Sequence, residues 1–245
     1  MNLAIIQARM ASRRLPGKTL MKFGKTNILG YLINRVSLSK AIDKIVVATS
    51  TNSTDDPIVK FAKENNFLFF RGPENDVLER FFLTAEYYNA STIIRLTADD
   101  PFKDSLIIDE AVELLTNSKF DYVSNTLTPS YPEGLDVEVF SFATLKRAHF
   151  EAKLARHREH VTPYIWENNS NQFKISQITS KKDLSGWRMT IDYAQDYNCL
   201  NKLASAVDVD CNYENLISTI KELKLGCITQ PSIIRNEAYN DQLSC

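Results

Sequence analysis

The sequence predicts an α/β fold built on a mostly parallel sheet, with helices on both faces and a small β-rich insertion. Up to about residue 128, short apolar runs typical of buried strands alternate with amphipathic stretches of helix length. Beyond that point, polar and apolar residues alternate as they do in half-exposed strands. Of the 245 residues, 44% are hydrophobic and 24% are charged, and the net charge is −1. This composition is typical of a folded globular chain and excludes a disordered one.

The elements of the first half follow one another in a regular order. Buried strands are expected at residues 2–8, 44–49, 67–70, 92–97 and 122–123. Helices are expected at residues 27–40, 76–88 and 104–115, and a further helix is capped by Asp56 with Pro57 in its first turn. Because parallel strands need crossover helices of this length, the order predicts a Rossmann-like sheet covered on both faces.

The second half predicts a different arrangement. Strands are expected at residues 135–140, 173–179 and 187–191, and helices at residues 141–153, 159–167, 195–206 and 213–224. The chain has only seven glycines and no Pro/Gly/Ser-rich linker. We therefore expect a single domain over residues 1–228, with an insertion at about 128–185 and a C-terminal tail at 229–245.

Charge is distributed unevenly along the chain. The first 42 residues contain no acidic residue and eight basic ones, which are Arg9, Arg13, Arg14, Lys18, Lys22, Lys25, Arg35 and Lys40. The remainder carries 21 basic and 30 acidic residues. A basic surface along the whole chain, as in nucleic-acid-binding proteins, is therefore absent, and the local concentration of positive charge indicates a small polyanion as ligand. A targeting presequence is the alternative, but the first residues are strand-like and Pro16-Gly17 would break a helix.

The cysteines predict neither a metal site nor a disulfide framework. Cys199, Cys211, Cys227 and Cys245 are widely spaced and form no CxxC pair. The N-terminal residues lack the features of a signal peptide, so a cytoplasmic location is expected. No apolar run approaches the roughly 20 residues that span a membrane, so no membrane partner is expected.

A cationic loop follows the first strand. Ligands of open α/β sheets bind at the carboxyl ends of the strands, which is where this loop begins. Its three arginines and Lys18 suit an extended polyphosphate, because guanidinium groups bind oxygens in pairs and lysine supplies a point charge. Ser12 replaces the first glycine of a Walker A motif, and no G-x-G-x-x-G motif is present. A basic surface turn is the alternative interpretation.

In this loop the resemblance to a known family becomes specific. The segment IIQARMASRRLPGKTL resembles the opening signature of the sugar-activating cytidylyltransferases, the superfamily of the CMP-Kdo and CMP-sialic acid synthetases. It is most similar to the SpsF-type branch, named for spore-coat polysaccharide synthesis. Similar segments follow in order to about residue 200: KIVVATSTNSTDDPIV, FRGPENDVLERF, IIRLTADDPF, DYVSNT, YPEGLDVEVFSF, REHVTPYIW and WRMTIDYAQDY. The resemblance implies a nucleotide-diphospho-sugar transferase-like fold.

Two strand ends carry candidate magnesium ligands. Asp99 and Asp100 follow the strand at 92–97, and Mg²⁺ prefers a few carboxylates together with phosphate oxygens and water. The family's Gly-Asp-Glu-Pro-like element matches Ala98-Asp99-Asp100-Pro101, which makes Asp99 the first metal ligand. Asp192 ends the strand at 187–191 and matches the family's second metal aspartate, although Tyr193-Ala194 replaces the usual Thr-Pro. The alternatives are an acidic loop before a helix for the pair, and a helix N-cap for Asp192.

The resemblance also implies a nucleobase pocket and an acceptor side. Arg71 matches the position that flanks the base, and backbone groups near Ala8 contact its other edge; a salt bridge from Arg71 to Asp76 or Glu79 is the alternative. On the acceptor side, Asp136 and Glu138 share a strand face and offer carboxylates to hydroxyl groups, while the basic run after residue 155 suits an anionic acceptor. The substrate-binding residues expected on these grounds are Ala8, Arg13, Arg71, Asp100, Tyr131, Glu133, Asp136, Glu138, His157, Arg158, His160 and Arg188.

Residue chemistry and resemblance together imply a Mg²⁺-dependent cytidylyltransferase of surface polysaccharide or glycoconjugate biosynthesis. It would transfer CMP from CTP to a sugar-acid or sugar-phosphate acceptor and release pyrophosphate. The expected catalytic set is Arg9, Lys18, Asp99 and Asp192, and the family implies a homodimer. Two alternatives stay open. A sugar-nucleotide-dependent glycosyltransferase would release a nucleoside diphosphate, and a catalytically silent nucleotide-binding protein would turn over nothing.

Overall fold

A computed structural model describes residues 1–231, and a seven-stranded sheet forms its centre. The strands in chain order are β1 (Asn2–Gln7), β2 (Lys22–Phe23), β3 (Thr26–Asn27), β4 (Lys44–Ser50), β5 (Leu68–Gly72), β6 (Thr92–Thr97), β7 (Tyr122–Ser124), β8 (Glu138–Ser141) and β9 (Ile175–Gln177). The order across the main sheet is β5-β4-β1-β6-β8-β7-β9, and β2 and β3 form a separate antiparallel pair. Four consecutive strands, β5, β4, β1 and β6, are parallel, so the predicted fold class is confirmed.

Ten α-helices are described, besides two 3-10 turns at Lys18–Leu20 and Ser53–Asp55, and they cover both faces of this sheet. They are α1 (Ile28–Val36), α2 (Asp56–Glu64), α3 (Val77–Tyr87), α4 (Ser105–Asn117), α5 (Phe142–Glu151), α6 (Ala155–His160), α7 (Pro163–Glu167), α8 (Ala194–Ala206), α9 (Tyr213–Glu222) and α10 (Gly226–Thr229). On β1, Ala4 and Ile6 face α1, α4, α8 and α9, whereas Leu3 and Ile5 face α3 and α5. All four side chains are fully buried, which explains why the strand is a continuous apolar run.

The carboxyl ends of the central strands meet at one edge. In the sheet register Gln7 of β1 lies between Ala48 of β4 and Thr97 of β6. The backbone continues this pairing one residue further, because Ala8 N donates to Ala48 O at 3.1 Å. The cationic loop after β1 and the aspartates after β6 therefore leave the sheet at the same edge.

Two predicted strands differ from the structure. Residues 187–191 do not join the sheet; they lie beside Glu133 in an isolated bridge, with Met189 N donating to Glu133 O at 2.7 Å. Strand β8 begins only at Glu138, because the side chain of Asn125 hydrogen-bonds the backbone of Leu135 and Val137 in place of a neighbouring strand. The insertion's own strands, β8 and β9, belong to the main sheet.

The helices also differ in detail. The helix expected at 159–167 is two short helices, α6 and α7, because Pro163 opens α7 and lacks the N–H needed to continue α6. Val161, between them, has a φ of 74°, which is unusual for a β-branched residue. Asp55 rather than Asp56 is the N-cap residue of α2. Residues 232–245 of the predicted tail lie outside the described residues.

A disulfide contradicts the expectation drawn from cysteine spacing. Cys199 on α8 bonds to Cys227 on α10, 28 positions later, with the Cα atoms 6.4 Å apart. The two residues meet because α10 packs against α8, which the irregular spacing in the sequence does not reveal. Cys211 is a free thiol. Within residues 1–231, no helix is both long enough and apolar enough to cross a lipid bilayer.

Candidate active site

The loop after β1 is held in place by backbone and buried side-chain contacts. Met10 N donates to Asp55 Oδ1 at 2.7 Å, and Met10 O accepts from Gly17 N at 3.0 Å. Gly17 has a φ of 75°, a conformation that costs glycine little and other residues more. This turn directs the chain back toward the sheet, where Thr19 Oγ1 donates to Arg9 O at 2.8 Å. Lys18 thereby points inward while the arginines of the loop stay exposed.

Lys18 joins both predicted metal aspartates. Its Nζ donates to Asp99 Oδ2 and to Asp192 Oδ1, each at 3.0 Å, and also to the carbonyl of Ile191. Although Lys18 is only 8% exposed, it stays charged: burial lowers its pKa, but Asp99 and Asp192 raise it above the ordinary 10.5. The structure thus brings together three segments that are far apart in the sequence, as the resemblance implied.

Asp192 is surrounded by positive charge. Its Oδ2 lies 2.9 Å from the guanidinium of Arg14 and 2.8 Å from that of Arg188. Burial raises the pKa of Asp192, but Lys18 and Arg14 outweigh it and bring the pKa to about 2. Arg14, which also lies over the ring of Tyr193 at 5.0 Å, is one of the three loop arginines expected to bind a polyphosphate, and its contact with Asp192 was not predicted.

The two aspartates fit a magnesium ion in their chemistry. The side chain of Asp99 is 30% exposed and that of Asp192 19%, so both carboxylates are partly open to solvent. Residues 1–231 contain no group of three or more metal-ligating side chains. Mg²⁺ takes one or two carboxylates and completes its shell with phosphate oxygens and water, which matches this donor set. Asp99 and Asp192 are therefore the residues that would hold the metal.

Asp100 does not share the orientation of Asp99. It is 5% exposed, and its Oδ2 accepts from Lys103 Nζ and from Thr97 Oγ1, both at 2.7 Å. Burial raises its pKa, but these donors and Thr190 lower it below the ordinary value of 3.8. The expectation that Asp100 binds substrate is corrected, because its carboxylate faces the protein interior.

Arg71, which is expected to flank the nucleobase, has a different salt-bridge partner from the two that the sequence suggested. Arg71 ends β5, where its Nε donates to Ser50 O at 2.8 Å and its NH1 lies 2.8 Å from Asp56 Oδ1. The salt-bridge partner is therefore Asp56, and neither Asp76 nor Glu79 is. Ala8 is buried at the start of the loop. Arg9 and Arg13 are exposed on the loop, so their contacts to a nucleotide stay predictions.

The predicted acceptor residues around Glu133 have structural partners. Arg188 is 4% exposed, and its NH1 donates to Glu133 Oε2 at 2.6 Å while its NH2 reaches Asp192. Tyr131 is buried against the ring of Tyr213, with ring centroids 5.4 Å apart. Arg188 thus contacts both Glu133 and Asp192, and Tyr131 packs in the core; the substrate-binding role expected for Arg188, Glu133 and Tyr131 stays a prediction.

Glu138 is also removed from the acceptor side. Its Oε1 accepts from Tyr122 Oη at 2.6 Å and from Thr162 Oγ1 at 2.5 Å, and its Oε2 pairs with Arg95. The residue is 6% exposed, so both oxygens are engaged inside the protein and its predicted contact with acceptor hydroxyls is corrected. Asp136 precedes β8 and does not share a strand face with Glu138; its carbonyl accepts from Lys103.

The basic run on α6 is largely neutralised. His157 Nε2 lies 2.9 Å from Glu167 Oε2, and Arg158 NH2 donates to Asp76 Oδ2 at 2.6 Å. Both side chains therefore pair with carboxylates of the protein, and their contact with an anionic acceptor stays a prediction. His160 ends α6, and its acceptor role stays a prediction.

Comparison with known proteins shows the family of the chain. The family model of the cytidylyltransferases matches residues 3–236. An uncharacterized protein of Methanocaldococcus jannaschii is 40% identical over 84% of this chain and 84% of its own length. The spore coat polysaccharide biosynthesis protein SpsF of Bacillus subtilis is 35% identical over 82% of this chain and 85% of its own length.

Solved structures show the same relationship. A cytidylyltransferase from Leptospira borgpetersenii superposes with a TM-score of 0.88 at 35% identity, covering 96% of this chain and 99% of the other. A CMP-2-keto-3-deoxy-manno-octonic acid synthetase complexed with CTP has a TM-score of 0.61 at 13% identity, over 84% of this chain and 97% of the other, which shows a shared fold. From its sequence signature, its fold and these similarities, the chain belongs to the cytidylyltransferase family.

Proposed function

We propose that the chain transfers CMP from CTP to an anionic sugar acceptor, a sugar acid or a sugar phosphate, and releases pyrophosphate. The observation that carries the proposal is the junction of Lys18 with Asp99 and Asp192, directly beside a loop that exposes Arg9 and Arg13. Side chains suited to phosphate oxygens and side chains suited to a metal ion thus lie at the same edge of the sheet. The match to the cytidylyltransferase family model and the CTP complex of a structural neighbour support CTP as the donor.

In the proposed reaction, an acceptor oxygen attacks the α-phosphorus of CTP in line. The bond between this phosphorus and the oxygen that bridges to the β-phosphoryl group breaks, and its electron pair leaves with pyrophosphate. Arg9, Arg13 and Lys18 neutralise the phosphates, and Arg14 and Arg188 keep Asp192 ionised and in place. A bound Mg²⁺ would supply Lewis-acid polarisation of the phosphate.

The deciding experiment is a pyrophosphate-release screen of four nucleoside triphosphates against sugar acids and sugar phosphates. We expect CTP to be consumed with one acceptor class, and Asp99→Asn and Asp192→Asn each to lower the rate by about 10²-fold or more. Asp43→Asn is the matched control, because Asp43 caps the opposite edge of the sheet, 2.6 Å from Asn2 N. Release of a nucleoside diphosphate would identify a glycosyltransferase instead, and CTP binding without turnover a silent protein.

The biological setting belongs to the same proposal. A place in surface polysaccharide synthesis follows from the name of the Bacillus subtilis relative. A homodimer stays a prediction that light scattering of the purified chain would test. A cytoplasmic location also stays a prediction, and the Cys199–Cys227 disulfide counts against it, because cytosolic proteins rarely keep disulfides.

A further inference from the structure

A fully buried lysine lies directly behind the metal aspartates. Lys103, in the turn between β6 and α4, is 1% exposed, and its Nζ lies 2.7 Å from Asp100 Oδ2. The same ammonium donates to the carbonyl of Asp136. Burying a lysine and an aspartate together costs several kcal/mol of desolvation per ion, and the mutual attraction only partly offsets it. Such a pair is weak evidence for stability and calls for another explanation.

The contacts of this pair reach both strand ends that carry the metal ligands. Asp100 accepts from Thr97 Oγ1 at 2.7 Å, two residues before Asp99, and the side chain of Thr190, two residues before Asp192, lowers the pKa of Asp100. A backbone hydrogen bond of 2.9 Å from Ile191 N to Asp99 O joins the same two segments. One carboxylate thus connects the two segments, and Lys103 holds that carboxylate.

The pair also anchors these segments to the rest of the fold. The carbonyl of Lys103 accepts from Arg35 Nε at 2.9 Å, and Arg35 is itself 2% exposed on α1. The carbonyl of Asp136 links Lys103 to the segment that carries Glu133, the partner of Arg188. Neither Lys103 nor Asp100 reaches the crevice, so their effect on the site passes through the residues they hold.

We infer that Lys103 is a positioning residue, which with Asp100 fixes the separation and direction of Asp99 and Asp192 for a divalent cation. This role rests on the proposed function, because it concerns the same two carboxylates. Groups that orient metal ligands without touching the metal typically change metal affinity about 10–100-fold when mutated.

The test measures Mn²⁺ binding to the nucleotide-free chain by electron paramagnetic resonance, alongside pyrophosphate release. Lys103→Met keeps the length of the side chain and removes its charge. We expect the Mn²⁺ dissociation constant to rise at least about tenfold, and kcat to fall while KM for CTP changes little. The titration is repeated in a Lys18→Met background, where no ammonium competes for the carboxylates.

A second variant separates positioning from folding. Lys103→Met leaves Asp100 buried and uncompensated, so Lys103→Met/Asp100→Asn is compared with it; we expect the double variant to recover thermal stability without recovering Mn²⁺ affinity. The matched control is Arg95→Met/Glu138→Gln, which removes the buried ion pair between β6 and β8. The control should keep Mn²⁺ affinity, whatever its thermal stability.

The outcomes are distinguishable. Folded Lys103→Met with wild-type Mn²⁺ affinity, or an equal loss of affinity in the control, overturns the positioning role while leaving nucleotidyl transfer intact. If neither the wild-type chain nor the Lys18→Met variant binds Mn²⁺, the positioning role of Lys103 and the metal assignment are both overturned. A wild-type chain that releases no pyrophosphate, yet shows the expected contrast in Mn²⁺ affinity, overturns the proposed reaction alone.

Discussion

The ammonium of Lys18 lies 3.0 Å from Oδ1 of Asp192, a residue 174 positions later in the chain. The same ammonium contacts Asp99 at 3.0 Å, so a protein cation already lies between the two carboxylates assigned to magnesium. A metal ion that binds both carboxylates must take the place of this ammonium. The phosphates of a nucleotide offer Lys18 an alternative partner, so metal and nucleotide should bind with positive coupling.

Lys18→Met is therefore expected to have opposite effects on metal binding and on catalysis. Without the competing ammonium, Mn²⁺ binding to the nucleotide-free chain should tighten about tenfold, or ~1.4 kcal/mol. Pyrophosphate release should fall about 10²-fold or more, because a phosphate ligand is lost. Lys25→Met, at an exposed position shortly after the loop, is the control and should change neither. Weaker Mn²⁺ binding in Lys18→Met would contradict the competition.

Asp192 makes the stability of the fold depend on pH. Its pKa is about 2 in the folded chain, against an ordinary value of 3.8. A carboxylate with a lowered pKa contributes stability above its unfolded pKa and loses it as pH falls through the folded pKa. Asp192→Asn should therefore cost roughly 2 kcal/mol of unfolding free energy near pH 6, and progressively less between pH 4 and pH 2. Urea unfolding of both proteins across this range is the measurement, and a cost that stays constant with pH would contradict the assignment.

The central strands and the edge that carries the candidate metal ligands could be predicted because their signals are local. Strand β6 has the predicted bounds, Thr92–Thr97, because its apolar run is bounded by polar turns. Parallel strands end at one edge, so a loop after β1 and a carboxylate after β6 had to lie close together. Asp192 was placed at this edge on two grounds, the family resemblance and a predicted strand at residues 187–191. The strand was wrong, because these residues do not join the sheet, so only the resemblance accounts for the position of Asp192.

The acceptor side could not be predicted in the same way. Alternating residues at 135–140 indicated an exposed strand face, but Glu138 is buried by partners 43, 24 and 16 positions away, namely Arg95, Thr162 and Tyr122. The ion pairs of Arg158 with Asp76 and of Lys103 with Asp100 likewise depend on tertiary packing. No spacing rule reveals which charged residues are neutralised inside the fold.

Glu138→Gln tests this correction. Removal of one partner from a buried ion pair typically costs 3–5 kcal/mol, so we expect about 3 kcal/mol of lost unfolding free energy, since glutamine keeps some hydrogen bonds. The KM for CTP and the KM for the acceptor should stay at wild-type values, because the carboxylate faces Arg95 and Tyr122. A raised acceptor KM with unchanged stability would restore the original assignment of Glu138 to the acceptor.

The disulfide makes a prediction about the C-terminal helices. Cys199 and Cys227 close a loop of 28 positions, and loop-closure entropy for this length corresponds to about 3.6 kcal/mol of unfolding free energy. Non-reducing peptide mapping should find the two cysteines in one linked peptide pair, and reduction or Cys199→Ser should lower the free energy of unfolding by about that amount. Cys211→Ser is the control, since Cys211 is a free thiol, and it should change stability by less than about 0.5 kcal/mol.

Because Arg188 N donates to Ile228 O at 3.0 Å, release of α10 should also loosen the backbone that carries a partner of Asp192. A reductant should therefore slow pyrophosphate release by the wild-type chain and leave the rate of the Cys199→Ser variant unchanged. If the reductant slows both proteins equally, this disulfide is not the cause.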